Sequence, residues 1–290
     1  MNSTRSPNSL TTTLKGRIPC ECGSPQSRHV HLPSVLLTAL SEGELTVEGR
    51  LAVASNATLL CTVPIEGERL LHCVYKPVAG ERPLWDFPDE TLGRRELAAF
   101  ALSEALGWHL VPPTVWREEG PAGPGMCQAW IEESESADVI DVCAPTEVLP
   151  GWILVMTAED QQGNPLLLVH ADRADLHRVA AFDALTNNAD RKGGHVILDA
   201  DDRIWCIDHG VSFNVEDKLR TVLWGWAGES IDADVVADLI KLEPHLTGIL
   251  EPWLAPEEIV VTAQRLRSLI ESGTMPHPSP EWPAVPWPVF

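Results

Sequence analysis

The chain of 290 residues is long enough for one large domain or for two lobes with a substantial core. Its formal net charge of -21 makes nucleic acid a poor partner, since an acidic surface repels DNA, RNA and anionic lipid headgroups over roughly a Debye length. No apolar run is long enough to cross a bilayer, so we expect no integral membrane segment.

The cysteines indicate a reducing compartment. There are seven, an odd number, and their spacing is scattered. The N-terminus lacks the continuous apolar stretch of a secretory signal. Reduced thiols in a cytoplasmic protein are therefore expected.

Residues 1–32 are predicted to form a flexible tail, since Ser, Thr, Pro and Arg prevail there and hydrophobic periodicity is weak. The tail contains Cys20, Cys22, His29 and His31, four soft or borderline ligands that could hold Zn²⁺. Its CxC spacing is tighter than the usual CxxC of zinc sites. A tail without metal is therefore the favoured alternative.

Residues 33–132 are predicted to form a small, β-rich lobe with one main helix. The predicted elements, in chain order, are a helix over 33–40, two strands within 43–63, a strand over 69–77, a helix over 91–106, and strands near 114–118 and 126–132. The main helix is indicated by Leu97, Ala101 and Ala105 at i+4 spacing, and Gly107 is a natural end for it.

Residues 133–272 are predicted to form a larger, mainly helical lobe that opens with a loop over 133–150. The predicted elements are helices over 172–187, 232–249 and 256–272, and a hairpin whose strands HVILD and RIWCID flank a turn at 200–202. Together with the first lobe, this gives an α+β, bilobal plan, which suits a ligand held in the cleft between lobes.

Residues 273–290 form a Pro/Trp-rich C-terminal tail. Two interpretations are open: a strap whose tryptophans dock on the body, or a tail that binds a partner. The strap is favoured, because exposed tryptophan is a liability.

The predicted hairpin brings Asp190 and Asp208 to its two ends, so both carboxylates can face one point. Two carboxylates gain from this proximity only if a cation lies between them. Phosphoryl transfer uses such an arrangement, in which one acid orients the attacking hydroxyl and the other holds Mg²⁺ on the phosphates. His195 follows Asp190 by five residues and Asp208 begins Asp-His-Gly, which is the spacing of kinase catalytic and metal loops.

DRKGGH followed by IDHG resembles the catalytic and metal loops of the phosphatidylinositol 3- and 4-kinase superfamily, especially the type II 4-kinases. It is also similar to an actinobacterial family of kinase-like proteins of about this size. The similarity is local, within residues 45–215. It implies a protein-kinase-like fold, ATP with Mg²⁺ or Mn²⁺ as cofactors, and a lipid, protein or small-molecule hydroxyl as acceptor.

The resemblance also implies roles in the small lobe. Lys76, in VYKP at a strand end, is similar to the ATP-binding lysine of the type II 4-kinases, and Glu96 is the candidate to position it. Ser55 and Asn56, in the loop GRLAVASN, would cover the phosphates.

The inter-lobe hinge is expected at MCQAWIEE, residues 126–133. The resemblance implies that its backbone, near Gln128, bonds the adenine edge. Trp130 or Ile131 would pack against the ring.

In the large lobe, Asp190 would orient the acceptor hydroxyl and accept its proton. Arg191 would steady the loop or the transferring phosphoryl group. Asp208 would chelate the metal with the help of His195.

His195 stands where the superfamily has Asn, and imidazole offers nitrogen where Mg²⁺ prefers oxygen. Three explanations stay open. His195 binds a phosphate or a metal-bound water; Asn187 or Asn188 supplies the missing oxygen; or the chain binds nucleotide but transfers phosphate poorly.

The motifs leave the identity of the acceptor open. In the segment after the metal loop, Lys218 and Arg220 are the only cations and lie next to Glu216 and Asp217, a thin basis for binding a phosphoinositide headgroup. Two alternatives to a kinase therefore stand: a regulatory, nucleotide-binding pseudokinase and a transferase that moves AMP on the same fold.

Overall fold

The structure is a computed structural model and describes residues 33–51, 56–65, 67, 69–134 and 138–290. The elements of its first half are α1 (Pro33–Glu42), β1 (Thr46–Arg50), β2 (Leu59–Ile65), β3 (Arg69–Pro77), α2 (Leu92–Ala105), β4 (Thr114–Arg117) and β5 (Gly125–Ala129). The strands form one antiparallel sheet in the order β1-β2-β3-β5-β4. The pattern predicted for this half is confirmed, while the candidate zinc ligands and Ser55 lie outside the described residues.

The small lobe has its own core on one face of this sheet. Cys61, Cys73 and Cys127 lie on three neighbouring strands and are fully buried, together with Tyr75 and with Leu40 of α1. On α2, the chain leaves the helix through Gly107, whose φ of +69° is a conformation that favours glycine.

The second half begins with a sheet that the sequence analysis missed. Its strands are β6 (Ile140–Cys143), β7 (Trp152–Glu159) and β8 (Pro165–Ala171), antiparallel in the order β6-β8-β7. The expected loop over 133–150 is therefore wrong at β6. The run of apolar residues in β8 has no period-2 alternation, and periodicity alone does not separate such a run from a buried helix.

The remaining elements are α3 (Ala174–Thr186), β9 (Val196–Leu198), β10 (Ile204–Cys206), α4 (Ala233–Leu242), α5 (Leu246–Leu250) and α6 (Pro256–Ser272). The hairpin β9–β10 lies where it was predicted and pairs Val196 with Cys206. The single helix expected over 232–249 is wrong, because a turn at 243–245 that contains Pro244 separates α4 from α5. The architecture is thus a β-sheet region followed by a mainly helical part.

Helix α3 is the centre of the large lobe. Ten of its 13 residues are buried, all of them between Leu176 and Thr186, so most of its surface is covered by the rest of the protein. It ends at Asn187, which has a φ of 51° and turns the chain toward Asp190. The helix therefore places the predicted catalytic loop on a rigid base. None of the helices among the described residues is both long and apolar enough to cross a membrane.

The C-terminal strap, residues 273–290, lies along the large lobe. Val289 O accepts a 2.8 Å bond from Gly193 N, and Ala284 O accepts from Trp224 Nε1 at 2.6 Å. Trp282 of the strap packs against Lys218, whose Nζ lies 4.8 Å from the centroid of the ring. Trp287 does not dock as expected, since it is 86% exposed. The strap thus contacts the loop that follows Asp190.

Gly193 tests this contact, because a Cβ there would overlap the ring of Phe290, whereas one on Gly194 would meet nothing within 4 Å. We expect Gly193→Ala to lower the free energy of unfolding by about 1 kcal/mol, as overpacking does. Gly194→Ala should be neutral or slightly stabilising. Urea denaturation measures both.

In the Phe290→Ala background the cost of Gly193→Ala should largely disappear, since the overlapping ring is gone. An equal cost in both backgrounds would mean that the ring of Phe290 does not pack against Gly193.

Candidate functional site

Three charged groups from separate elements meet at the junction of the two lobes. Lys76 Nζ, at the end of β3, lies 2.6 Å from Glu96 Oε1 on α2 and 3.0 Å from Asp208 Oδ1, two residues after β10. The Glu96 side chain is 2% exposed, whereas that of Asp208 is 48% exposed. The amine therefore connects a buried carboxylate with one that opens to solvent.

Lys76 and Asp208 are both charged. Burial lowers the pKa of Lys76, but the carboxylates of Asp208 and Glu96 together outweigh it and raise that pKa above its ordinary value. The positive charge of Lys76 in turn lowers the pKa of Asp208 well below its usual range. Asp208 is thus an anion at any physiological pH, as a metal ligand must be.

His195 lies on the other side of Asp208, with its Nε2 3.5 Å from Asp208 Oδ2. Burial lowers the pKa of His195 to about 4, so its imidazole is neutral at pH 7. Its buried Nδ1 has no hydrogen-bond partner among the described residues. A neutral imidazole has one nitrogen that can accept a proton or a hydrogen bond from a metal-bound water. A positively charged ring has no such acceptor, because both of its nitrogens carry protons.

Asp190 faces the same space. Its backbone N–H donates to Asn188 Oδ1 at 3.0 Å, and its Oδ2 lies 3.3 Å from Lys192 Nζ. Burial raises the pKa of Asp190, Lys192 opposes this rise, and the nearby charge of Asp208 adds to it. A carboxylate with a raised pKa is a better proton acceptor than an ordinary aspartate.

Arg191 points away from this space and into the core. Its side chain is fully buried and forms an ion pair with Asp183 of α3, with Nε 3.1 Å from both carboxylate oxygens. It also donates to Ile207 O at 2.9 Å and to His209 Nε2 at 2.8 Å. Of the two roles left open for Arg191, steadying the loop fits this position. Contact with a transferring phosphoryl group does not, because no part of the side chain is exposed.

His209 continues this network to Glu96. Burial, reinforced by Arg191, lowers the pKa of His209 well below its ordinary value, so the ring is neutral. Since Nε2 accepts from Arg191, the proton of the ring is on Nδ1. The backbone N–H of His209 donates to Glu96 Oε2 at 2.9 Å, so the metal loop itself helps to orient the glutamate that binds Lys76.

The other predicted residues are less close to this centre. The backbone of Gln128 lies between Val74 of β3 and Thr114 of β4, and its buried side chain donates to Thr114 Oγ1 at 2.9 Å, so neither part of the residue faces a cleft. Asn56 Oδ1 accepts from Arg82 N at 2.9 Å. Trp130 and Ile131 follow the end of β5 and are half-buried.

The structure therefore brings together Lys76, Glu96, Asp190, His195 and Asp208, but not Gln128. Sequence reasoning missed Lys192 and Asp183. Lys192 had a signal, its place directly after Asp-Arg. For Asp183, the only signal was one acid within the apolar stretch AAFDALT. Within the part of the chain that the structure describes, no group of three or more His, Cys, Asp or Glu side chains is arranged to hold a metal.

The comparison with solved structures agrees with a kinase-like fold. No model of a known protein family matches the chain. Protein Rv2133c of Mycobacterium tuberculosis is 47% identical over 264 residues, which cover 87% of this chain and 94% of the relative. Two solved structures share the fold at low identity.

The structure of hydra Fam20 with sugar has a TM-score of 0.53 and 15% identity, over 82% of this chain and 86% of that one. The Golgi casein kinase with Mn/ADP bound has a TM-score of 0.50 and 16% identity, over 83% of this chain and 75% of that one. Neither structure tests the phosphatidylinositol 3-/4-kinase type that the motifs resemble, which stays a prediction.

The Asp183–Arg191 pair gives a test of the network. We expect Asp183→Asn to lower the free energy of unfolding by about 3–5 kcal/mol, because it leaves the Arg191 charge buried without its partner. Thermal or urea denaturation measures this loss. Asp202→Asn, which removes one partner of Arg173 at the surface, should leave the unfolding midpoint nearly unchanged. Equal effects of the two substitutions would contradict the assignment.

Proposed function

The chain belongs to the same family as protein Rv2133c of Mycobacterium tuberculosis, and we propose that it is an ATP-dependent kinase that transfers phosphate to a hydroxyl group. The observation that carries this proposal is the position of Lys76 between Glu96 and Asp208. A lysine held by a glutamate of the neighbouring helix and facing an acidic metal loop is the arrangement that kinases need for activity.

A divalent ion fits the residues present. Asp208 supplies the hard, ionised oxygen that Mg²⁺ and Mn²⁺ prefer, and the neutral His195 is placed to hold a water of the ion. One carboxylate from the protein suffices, since Mg²⁺ usually keeps several waters and binds substrate phosphates as well. When bound, such an ion neutralises charge on the phosphates. The related fold of the Golgi casein kinase was solved with Mn/ADP, which supports the same pair of cofactors here.

The roles of the chain's own residues follow from their positions. Lys76, oriented by Glu96, would donate to the phosphate oxygens of the nucleotide. Asp190 would orient the acceptor hydroxyl and take its proton, helped by its raised pKa. Lys192, beside Asp190, would meet the negative charge of the transferring group. Catalysis is then positioning plus charge stabilisation, with little covalent chemistry by the protein.

The adenine base and the phosphates of the nucleotide would contact the small lobe. Trp130 and Ile131, directly after β5, are placed to contact the adenine ring at the inter-lobe connection. The amide nitrogen of Asn56 is the part of that side chain suited to a phosphate oxygen, since its oxygen binds Arg82 N. Gln128 is left out of this proposal, because its backbone lies between Val74 and Thr114 of the two neighbouring strands and its side chain is bonded within the sheet.

The acceptor that we propose is a protein or small-molecule hydroxyl rather than a phosphoinositide. Lys218, one of two cations that could have met a phosphorylated headgroup, is 2% exposed and pairs with Asp86 and Glu216. Its charge is therefore already used inside the protein. The phosphatidylinositol 3-/4-kinase type remains supported only by the local motif.

Asp190→Asn should lower the rate of phosphate transfer by about 10²–10⁴-fold, the usual contribution of a positioned acid or base. Nucleotide should still stabilise the variant against heat, because Asp190 accepts from the hydroxyl and not from ATP. Transfer from γ-labelled ATP with Mg²⁺ or Mn²⁺ to pools of protein and small-molecule acceptors measures the rate. Asp201→Asn, at the exposed tip of the hairpin, is the matched control and should keep the wild-type rate.

A second label separates the alternatives to a kinase. Transfer of an α-label would show AMP transfer in place of phosphate transfer. Thermal stabilisation by ATP without transfer of either label would show a nucleotide-binding pseudokinase. A wild-type rate in Asp190→Asn would contradict the role given to Asp190.

Asp208→Asn should weaken the binding of Mg²⁺–ATP, a step before phosphate transfer. Without its second negative oxygen, the side chain holds the divalent ion more weakly, so the thermal stabilisation by Mg²⁺–ATP should shrink strongly. The stabilisation by ATP in EDTA should change little. If the two conditions are affected alike, Asp208 does not bind the metal.

A further inference from the structure

Arg95, the residue before Glu96, connects α2 to the large lobe. Its side chain is 1% exposed, Nη1 donates to Ser212 O at 2.7 Å, and Nη2 donates to Glu258 Oε1. The guanidinium also lies over the ring of Phe87, with Cζ 4.7 Å from the ring centroid. A buried arginine with these partners is held in one position, since moving it would leave its charge unpaired in the core.

Glu258 is itself held by the helix on which it lies. It occupies the first turn of α6, where a negative charge is favoured, and its Oε2 accepts from Ala255 N at 2.9 Å. One carboxylate thus caps α6 with one oxygen and binds Arg95 with the other. Both partners of the ion pair are therefore held in place: Glu258 by the cap of α6, and Arg95 by Ser212 O and the ring of Phe87.

Two adjacent residues of α2 also bind the two ends of the metal loop. Glu96 accepts from His209 N at 2.9 Å, and Arg95 donates to Ser212 O at 2.7 Å. Between them, Ser212 N donates to His209 O at 3.1 Å and closes the turn. Any rotation or outward shift of α2 would break both contacts with this loop as well as the pair with Glu258.

We infer that Arg95 and Glu258 are positioning residues. They keep Glu96 in its ion pair with Lys76 when the protein carries no phosphorylation or other modification. In protein kinases the position of the corresponding glutamate is often controlled by phosphorylation of the activation loop. Here an arginine–glutamate pair built into the two lobes performs that task, so no modification is needed to assemble the site. The inference rests on the proposed function for its catalytic consequence, but its structural part stands without it.

The test compares Glu258→Gln with Leu266→Ala. Glu258→Gln keeps the size of the side chain and an oxygen for the cap but removes the charge that binds Arg95. Leu266 is fully buried on the same helix, two turns away and without contact to Arg95 in any hydrogen bond or ion pair, so its truncation destabilises α6 by loss of packing alone. Arg95→Lys is a milder variant should Glu258→Gln fail to fold, because it keeps the positive charge. It should still weaken the contacts, since one nitrogen replaces Nη1 and Nη2, which bind Ser212 O and Glu258 separately.

Amide hydrogen exchange, measured well below each unfolding midpoint, is the first readout. Glu258→Gln and Arg95→Lys should speed the exchange of His209 N–H, the donor to Glu96, by about tenfold or more, as local opening of α2 permits. Leu266→Ala should leave that amide at the wild-type rate. Similar exchange in all the variants would make the pair an ordinary stabilising contact and overturn the inference.

Transfer kinetics are the second readout. We expect the Arg95 and Glu258 variants to lower kcat by about tenfold, with a smaller change in the KM for ATP, because Lys76 still reaches the nucleotide but is less well oriented. Leu266→Ala should keep the wild-type kcat. If no variant and no wild-type sample transfers phosphate, the proposed function fails, while faster exchange at His209 would still support the positioning role. Wild-type exchange and kcat in the pair variants would refute it with the function intact.

Discussion

The structure depends on one amine placed between two carboxylates. Lys76 comes from the sheet of the small lobe, Glu96 from its helix and Asp208 from the loop after the hairpin of the large lobe. None of the three would be favourable there alone, because a partly buried charge without a partner is costly. Their mutual attraction therefore holds the two lobes at one relative position and leaves the exposed side of Asp208 directed toward solvent.

A second set of polar contacts, fully buried, connects the core of the large lobe to Glu96. Asp183 binds Arg191, Arg191 binds His209, and the backbone of His209 binds Glu96. Buried ion pairs are weak evidence for stability, since desolvation offsets much of their attraction. They specify geometry well, however, because each partner would be unpaired in any other arrangement. This explains why an arginine that the motif places next to Asp190 serves the loop and not the substrate.

The likeness to other proteins and the geometry of the site support different statements. Solved structures at 15–16% identity show the fold of this chain, and a fold hosts many functions. The case for phosphate transfer therefore rests on Lys76, Glu96, Asp190 and Asp208. The inferred role of Arg95 adds that the site is assembled by contacts present in the chain itself.

The sequence by itself determined the elements of the small lobe and the spacing of the charged motifs, because both follow from local patterns. The alternation of β2 and β3, the i+4 row of α2 and the five-residue offset from Asp190 to His195 are all visible within short windows. Only the tertiary structure decided which side chains face the cleft. Gln128 and Lys218 lie in suitable stretches yet are buried, and the apolar run of β8 has no period-2 alternation that marks it as a strand. The direction of a side chain depends on the neighbours that cover it, and these neighbours come from distant parts of the chain.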